Sequence, residues 1–162
     1  MDRVDVIAEV SEKAFNAEND RRDKITEKAE KYIAAVALIV GFKVFESDPL
    51  AMAGGARQAT TAWLTVLTFI ALGVALAFVL LSMRVRNYRT YAPGSELLDK
   101  IMGTDVTCET ARIMVARMYL DAQEANSKIN NQRAWKLAIG GFLLLAGFVL
   151  AVLSELSWRL TM

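Results

Sequence analysis

Residues 62–83, AWLTVLTFIALGVALAFVLLSM, place 22 positions in a row without a charged side chain. At about 1.5 Å per residue, a helix of that length crosses the ~30 Å hydrocarbon core of a bilayer. A second run, residues 137–153 (LAIGGFLLLAGFVLAVL), adds 17 uncharged positions, with Trp135 and Trp158 outside it where the two interfacial belts of a span would lie. In a chain of 162 residues a soluble core is too small to hide both helices from water. A small membrane protein is the expected class.

A third apolar segment is shorter. Residues 32–42, YIAAVALIVGF, give 11 uncharged positions before Lys43 interrupts them. The segment reaches spanning length only if Ala29 to Phe45 is helical and Lys43 snorkels outward. A buried or re-entrant segment inside an oligomer is the alternative. Ala51-Met52-Ala53 has the spacing of a signal-peptidase site. However, 31 residues carrying seven basic and nine acidic side chains precede the apolar run, so a cleaved signal is not expected.

Charge placement sets an orientation. Seven basic residues precede Tyr32, and nine lie between residues 84 and 136, leaving Lys43, Arg57 and Arg159 for the other side. The positive-inside rule puts the N-terminus and the long connector in the cytoplasm and the C-terminus in the periplasm. The predicted fold is therefore an all-α membrane protein, three transmembrane helices with a cytoplasmic helical bundle or coiled-coil stalk, as a single domain. Its parts are a cytoplasmic helix (1–31), a first span (32–45), a periplasmic loop (46–61), a second span (62–83), a cytoplasmic connector (84–136) and a third span (137–157).

The soluble parts show helical periodicity. Ile7, Val10, Ala14 and Ala17 form an apolar seam whose register continues as a basic face of Arg21, Lys24, Lys28 and Lys31. Asp20 with Lys24 and Glu27 with Lys31 are favourable i, i+4 pairs. This basic face suits either a solvated headgroup collar or an anion-receiving patch for a nucleotide phosphate or an anionic lipid. In the connector, Pro93-Gly94-Ser95 is turn chemistry, with Ser95 a cap for a short helix ELLDKIM that Gly103 ends. Thr104 or Asp105 then caps a helix without Pro or Gly until Gly140. Ala111, Val115, Met118, Ala122, Ala125 and Ile129 give that helix a 4-3-4-3-4 seam, expected to pack on the N-terminal helix.

Around Ile129 the helix turns polar. Asn126, Lys128, Asn130 and Arg133, with Ser127, Asn131 and Gln132, offer amide donors and acceptors and two cations. Propensity does not explain them. One reading is interhelical hydrogen bonding at a wet membrane junction. The other is a site for a nucleobase and phosphate, in which Arg21 and Lys24 take part.

In the spans, Gly73-x-x-x-Ala77, Ala71-x-x-x-Ala75 and Gly147-x-x-x-Ala151 are small-residue faces that favour helix contact. The deep spans hold no Asp, Glu, Lys or Arg, so no ion-coupled transport site is visible.

Catalysis finds no support. The chain has no histidine, one cysteine (Cys108), no Gly-rich phosphate loop and no nucleophile beside a base, so neither a catalytic residue nor a metal site is expected. A net charge of +1 argues against a nucleic-acid partner.

Two stretches carry a family resemblance: ENDRRDKITEKAEKYIAAVALIVG (18–41), a charged helix running straight into the membrane, and YLDAQEANSKINNQRAWKLAIGG (119–141), where Tyr119, Asn126, Ser127, Lys128 and Ile129 precede the last span. Together they resemble the small transmembrane effectors of bacterial cyclic-nucleotide antiphage systems, the Pycsar transmembrane effectors, and more distantly the membrane effectors of CBASS operons. The resemblance covers about half the chain. It implies an inner-membrane antiviral effector that impairs the membrane on sensing a cyclic nucleotide of the cyclic CMP or UMP type, made by a partner nucleotide cyclase. The lipid bilayer and further copies of the chain would be its physical partners, and no cofactor is implied beyond the activating nucleotide. No ligand-binding residues transfer from the family, because no separate nucleotide-binding fold is present. A constitutive structural or partner-docking membrane protein and a phage holin are the competing readings.

Overall fold

The computed structural model describes residues 3–46, 56–84, 88 and 107–159, and all three elements among them are helices: α1 (Arg3–Glu46), α2 (Ala56–Met83) and α3 (Cys108–Arg159). The sequence explains their lengths. No Pro or Gly occurs in α1 before Gly41, and Pro49 follows three residues after its end. Gly54-Gly55 precedes α2. Asp5 and Glu109 stand in the first turns of α1 and α3, and Lys43 and Arg159 in their last turns, each complementing the helix dipole. Thr107 caps α3: its Oγ1 accepts from the Thr110 amide at 3.3 Å, and its carbonyl accepts from the Ala111 amide at 3.0 Å. Thr104, Asp105 and the turn and short helix expected over residues 93–103 lie outside the described residues.

The chain divides into two compact units. The first takes α1 up to Lys24 and α3 up to Gln132; the second takes α1 from Ile25, α2, and α3 from Arg133. In the first unit the two helices run parallel. An Arg112–Asp5 ion pair near their starts is followed by Phe15 against Tyr119, ring centroids 5.5 Å apart, and then by Asn130 against Glu18.

The packed face of this unit differs from the expected one by one residue. Ser11, Phe15 and Glu18 are buried on α1, whereas Ile7 and Val10 are 51% and 59% exposed. On α3 the buried positions are Ala116, Ala122, Asn126 and Asn130; of the expected seam Ala122 is buried, while Ala111, Val115, Met118, Ala125 and Ile129 are only partly covered. One residue turns a helix by about 100°, so a different stripe faces inward. Phe15 and Tyr119 drive the choice: an aromatic pair buries far more surface than Ala14 or Ala17 could.

In the second unit α2 runs antiparallel to α1 and α3 around Ile25, Ala29, Val79 and Leu137, with Tyr32, Ile33, Met83 and Ala134 packed on them. Small residues allow close approach. A Cβ at Gly140 would stand 2.9 Å from Val79 Cγ2 and 3.3 Å from the Ala75 carbonyl, and one at Gly141 would meet Tyr32 at 2.9 Å. Of the three small-residue faces in the sequence, Ala75, Gly147 and Ala151 are buried, whereas Gly73 and Ala77 face outward with open space around Gly73.

Lys43 also departs from expectation. It is 8% exposed and points to Glu155 at 3.7 Å rather than snorkelling outward. Glu155 supplies the reason: a buried ammonium that finds a carboxylate avoids most of its desolvation cost.

Two helices, α2 over Ala59–Met83 and α3, are long and apolar enough to cross a membrane. Only 22% and 28% of their most apolar windows are buried, unlike the core helices of a soluble domain. Phe142 at 75%, Trp135 at 69% and Leu38 at 64% exposure belong to the same apolar exterior.

Gly140→Ala should destabilise the fold by about 1–3 kcal/mol, because the Ala75 carbonyl cannot move aside. Gly73→Ala should be neutral or stabilising by up to about 1 kcal/mol, since it gains helix propensity in open space. Unfolding of the two variants in mixed detergent micelles measures the contrast.

Candidate functional site

Polar residues in a helical seam must be satisfied there or pay for their burial, so their partners are the first thing to trace. Asn130 is fully buried. Its Nδ2 donates to the Glu18 carbonyl at 2.9 Å and to Glu18 Oε1 at 2.8 Å, and its Oδ1 accepts from the Tyr88 hydroxyl at 2.6 Å. Both donors of the amide and one acceptor position are thus engaged. Glu18 is 9% exposed and receives Arg21 Nη1 at 3.4 Å; Arg21 Nη2 donates to Asn131 Oδ1 at 2.7 Å. Arg22 lies over the Tyr88 ring, 5.5 Å from its centroid. The buried carboxylate is therefore held by an amide and a guanidinium, which offset its desolvation. Asn126 is also buried, at 1% exposure.

The other candidate residues divide between surface and core. Lys128 is exposed and donates to Glu124 Oε1 on its own helix at 2.7 Å. That bond, with the ammonium charge, holds the Glu124 carboxyl below its ordinary range. The pair therefore helps α3 above the usual carboxylate pKa and is lost as the pH falls through the lowered value. Lys24 is exposed. Arg133, in the second unit, is 7% exposed: its Nε donates to the Ser82 carbonyl at 2.5 Å and its Nη2 to Thr26 Oγ1 at 3.1 Å. This guanidinium closes the last turn of α2 and ties all three helices at one level.

A second polar level lies near the ends of α1 and α3 and the start of α2. Thr61 shares a hydrogen bond with Ser157 at 3.1 Å and Thr65 with Ser154 at 2.9 Å, beside Lys43, Glu155 and Arg159. Along α3, Arg133 and Glu155 are 22 residues apart, about 33 Å at the helical rise. The intervening stretch of α3 holds only Lys136 as a charged residue, and α2 over residues 66–81 holds none. On α1 the uncharged stretch is shorter, Tyr32 to Phe42, below which Lys31 pairs with Glu27 at 2.6 Å.

The structure thus brings Arg21 and Asn130 together on one carboxylate, and it sets Asn130 and Arg133 to hold helices rather than to face solvent. Lys24 and Lys128 stay outside. Glu18, Tyr88 and Thr26 were missed by the sequence reading. A signal existed: Phe15 is the only aromatic side chain in residues 1–31, and Glu18 lies three residues after it on the same helical face. Among the described residues no group of three or more acidic, cysteine or histidine side chains converges as a metal site would. Comparison with known proteins finds no matching family model, no matching curated protein and no matching solved structure.

Asn130→Ala removes the amide between Glu18 and Tyr88 and should cost about 1–3 kcal/mol. Lys128→Ala, at a fully exposed i, i+4 pair, should leave the unfolding midpoint nearly unchanged. Chemical unfolding of both variants followed by circular dichroism separates the two roles.

Proposed function

We propose that this chain is a non-enzymatic, homo-oligomeric effector of the bacterial inner membrane that spans the bilayer three times and impairs it when a cyclic nucleotide binds its cytoplasmic helices. The observation that carries the reading is the continuity of α1 and α3, each of which runs without a break from a polar, hydrogen-bonded unit into an apolar one. Two polar levels about 33 Å apart along α3 match the thickness of a hydrocarbon core and its interfaces. The short apolar stretch of α1 is compatible with a third span because Lys43 is neutralised by Glu155 rather than left to lipid. The antiviral role and the cyclic nucleotide come from the resemblance of residues 18–41 and 119–141 to Pycsar transmembrane effectors.

In this mechanism the phosphate of the ligand is received by cations of the first unit, the exposed Lys24 and Lys128 and the half-buried Arg21. Asn130 and Arg133 hold the helices whose packing the ligand biases. A ligand acts only through its differential affinity for two packings, and the Arg21–Glu18–Asn130 cluster is an element whose bonds an incoming phosphate would exchange. Purified protein in dye-loaded vesicles should leak when cyclic CMP or cyclic UMP is added and stay closed without it. The Lys24→Glu, Lys128→Glu double variant should keep its helicity and lose the response. Leakage without nucleotide would favour a holin, and wild-type silence from inserted protein would remove the effector reading.

One observation favours a second reading. Ile7 and Val10 lie exposed one turn apart on α1, the face a constitutive partner-docking protein would offer to another helix. In the effector reading the same face serves contact between copies of the chain.

A further inference from the structure

At the height of Arg133 the second unit carries a charged rim drawn from all three of its helices. Arg133 bonds Thr26 on α1 and the Ser82 carbonyl on α2, which sets these three positions level. Lys28 lies two residues past Thr26, Arg84 two past Ser82 and Lys136 three past Arg133, each within about 5 Å of that level at the helical rise. The rim is not balanced. Lys31 is taken by Glu27 at 2.6 Å, and Lys28 shares the field of the same carboxylate. Arg84 and Lys136 make no ion pair and no side-chain hydrogen bond among the described residues, and Glu30, on α1, is the one carboxylate left at this level.

Beside the rim the exterior becomes apolar. Trp135, 69% exposed, precedes Lys136, and Trp63, 67% exposed, stands near the start of α2. Trp63 lies between Thr61 and Thr65, which bond Ser157 and Ser154, so it is about 20 residues along α3 from Trp135, or about 30 Å. That is the thickness of a hydrocarbon core, whose two boundaries tryptophan side chains prefer.

We propose that this rim binds anionic phospholipids of the cytoplasmic leaflet, with their phosphates on Arg84 and Lys136 and their acyl chains against the apolar exterior next to Trp135. Such binding rests on the membrane-spanning reading above and goes beyond it, since spanning alone selects no headgroup. Charge complementarity selects the occupant. An excess of cations at headgroup height favours an anionic lipid beside the rim and leaves a zwitterionic one nearly unaffected. The arginine fork takes two phosphate oxygens, and the lysine stem lies along apolar surface while its ammonium reaches the headgroup. A soluble phosphate could use the same cations but not the apolar wall beside them; a lipid offers a partner to both.

The test reads the lipid at each end of the unit through a single tryptophan. Full-length protein keeping only Trp135 (Trp63→Phe, Trp158→Phe) or only Trp63 (Trp135→Phe, Trp158→Phe) is placed in vesicles of equal phosphatidylglycerol and phosphatidylcholine. One or the other lipid carries bromine on its acyl chains, and vesicle flotation first establishes insertion. Quenching of Trp135 should report phosphatidylglycerol enriched over phosphatidylcholine by about fivefold, the effect of one basic residue near an anionic surface. Arg84→Gln with Lys136→Gln should bring that ratio to within about twofold of parity, and should leave the Trp63 ratio unmoved. Lys13→Gln, an exposed cation of the first unit, should change neither ratio. Inorganic phosphate exchanged for chloride at constant ionic strength should leave the enrichment intact. Parity at Trp135 in inserted protein, or enrichment that survives the double variant, overturns the rim as a lipid site and leaves the membrane reading standing. Loss of enrichment to inorganic phosphate reassigns the cations to a soluble anion and also overturns it. Protein that fails to float with the vesicles overturns both.

Discussion

A carboxamide and a guanidinium buried among packed helices tolerate few arrangements, and in this chain they determine how the helices meet. Asn130 satisfies its amide only where Glu18 and Tyr88 stand, and Arg133 satisfies its fork only where Thr26 and the last turn of α2 stand. Apolar contacts between Ala, Val and Leu could slide by a residue at little cost; these bonds cannot. A polar residue at a core position is a known device for fixing register and partner in helical assemblies. Each unit has its own: Asn130 for the pair of parallel helices, Arg133 for the three-helix packing.

How much of this was legible in the sequence depended on the kind of signal. The all-helical fold and the two long apolar helices follow from uncharged runs of 22 and 17 residues, which few other structures can use. The helicity of α1 as far as Gly41 follows from the absence of breakers. The facing surfaces did not follow. A search for apolar periodicity selects Ile7, Val10, Ala14 and Ala17, whereas the folded chain buries Ser11, Phe15 and Glu18. Periodicity weighs residues by polarity, but a polar residue with its partner in place packs as well as an apolar one. The partner lies about 110 residues away, beyond any local pattern. Lys43 repeats the lesson: a lone lysine after an apolar run reads as a snorkelling end until Glu155 is seen beside it.

The candidate site changes character for the same reason. Six residues that sequence grouped as ligand-binding separate into those that hold helices and those that meet solvent. Asn126 and Asn130 are buried in the first unit and Arg133 in the second; Lys24 and Lys128 are exposed, and Arg21 bridges the two sets with one nitrogen on Glu18 and one on Asn131. An anion arriving at Arg21 would compete directly with Glu18. Recognition and helix packing would then be coupled through one side chain rather than through a distant pathway.

The register of α1 tests the account most directly. Single cysteines placed at Val10, Ser11, Phe15 and Ala17 in a Cys108→Ser background, in protein inserted into vesicles, can be labelled with a maleimide from the aqueous side. The account predicts fast labelling at positions 10 and 17 and protection at 11 and 15, with Asn130→Ala raising the reactivity of 15. Protection at 10 and 17 with free reaction at 11 and 15 would mean that the apolar stripe faces inward, and the Glu18–Asn130 seam would have to be abandoned.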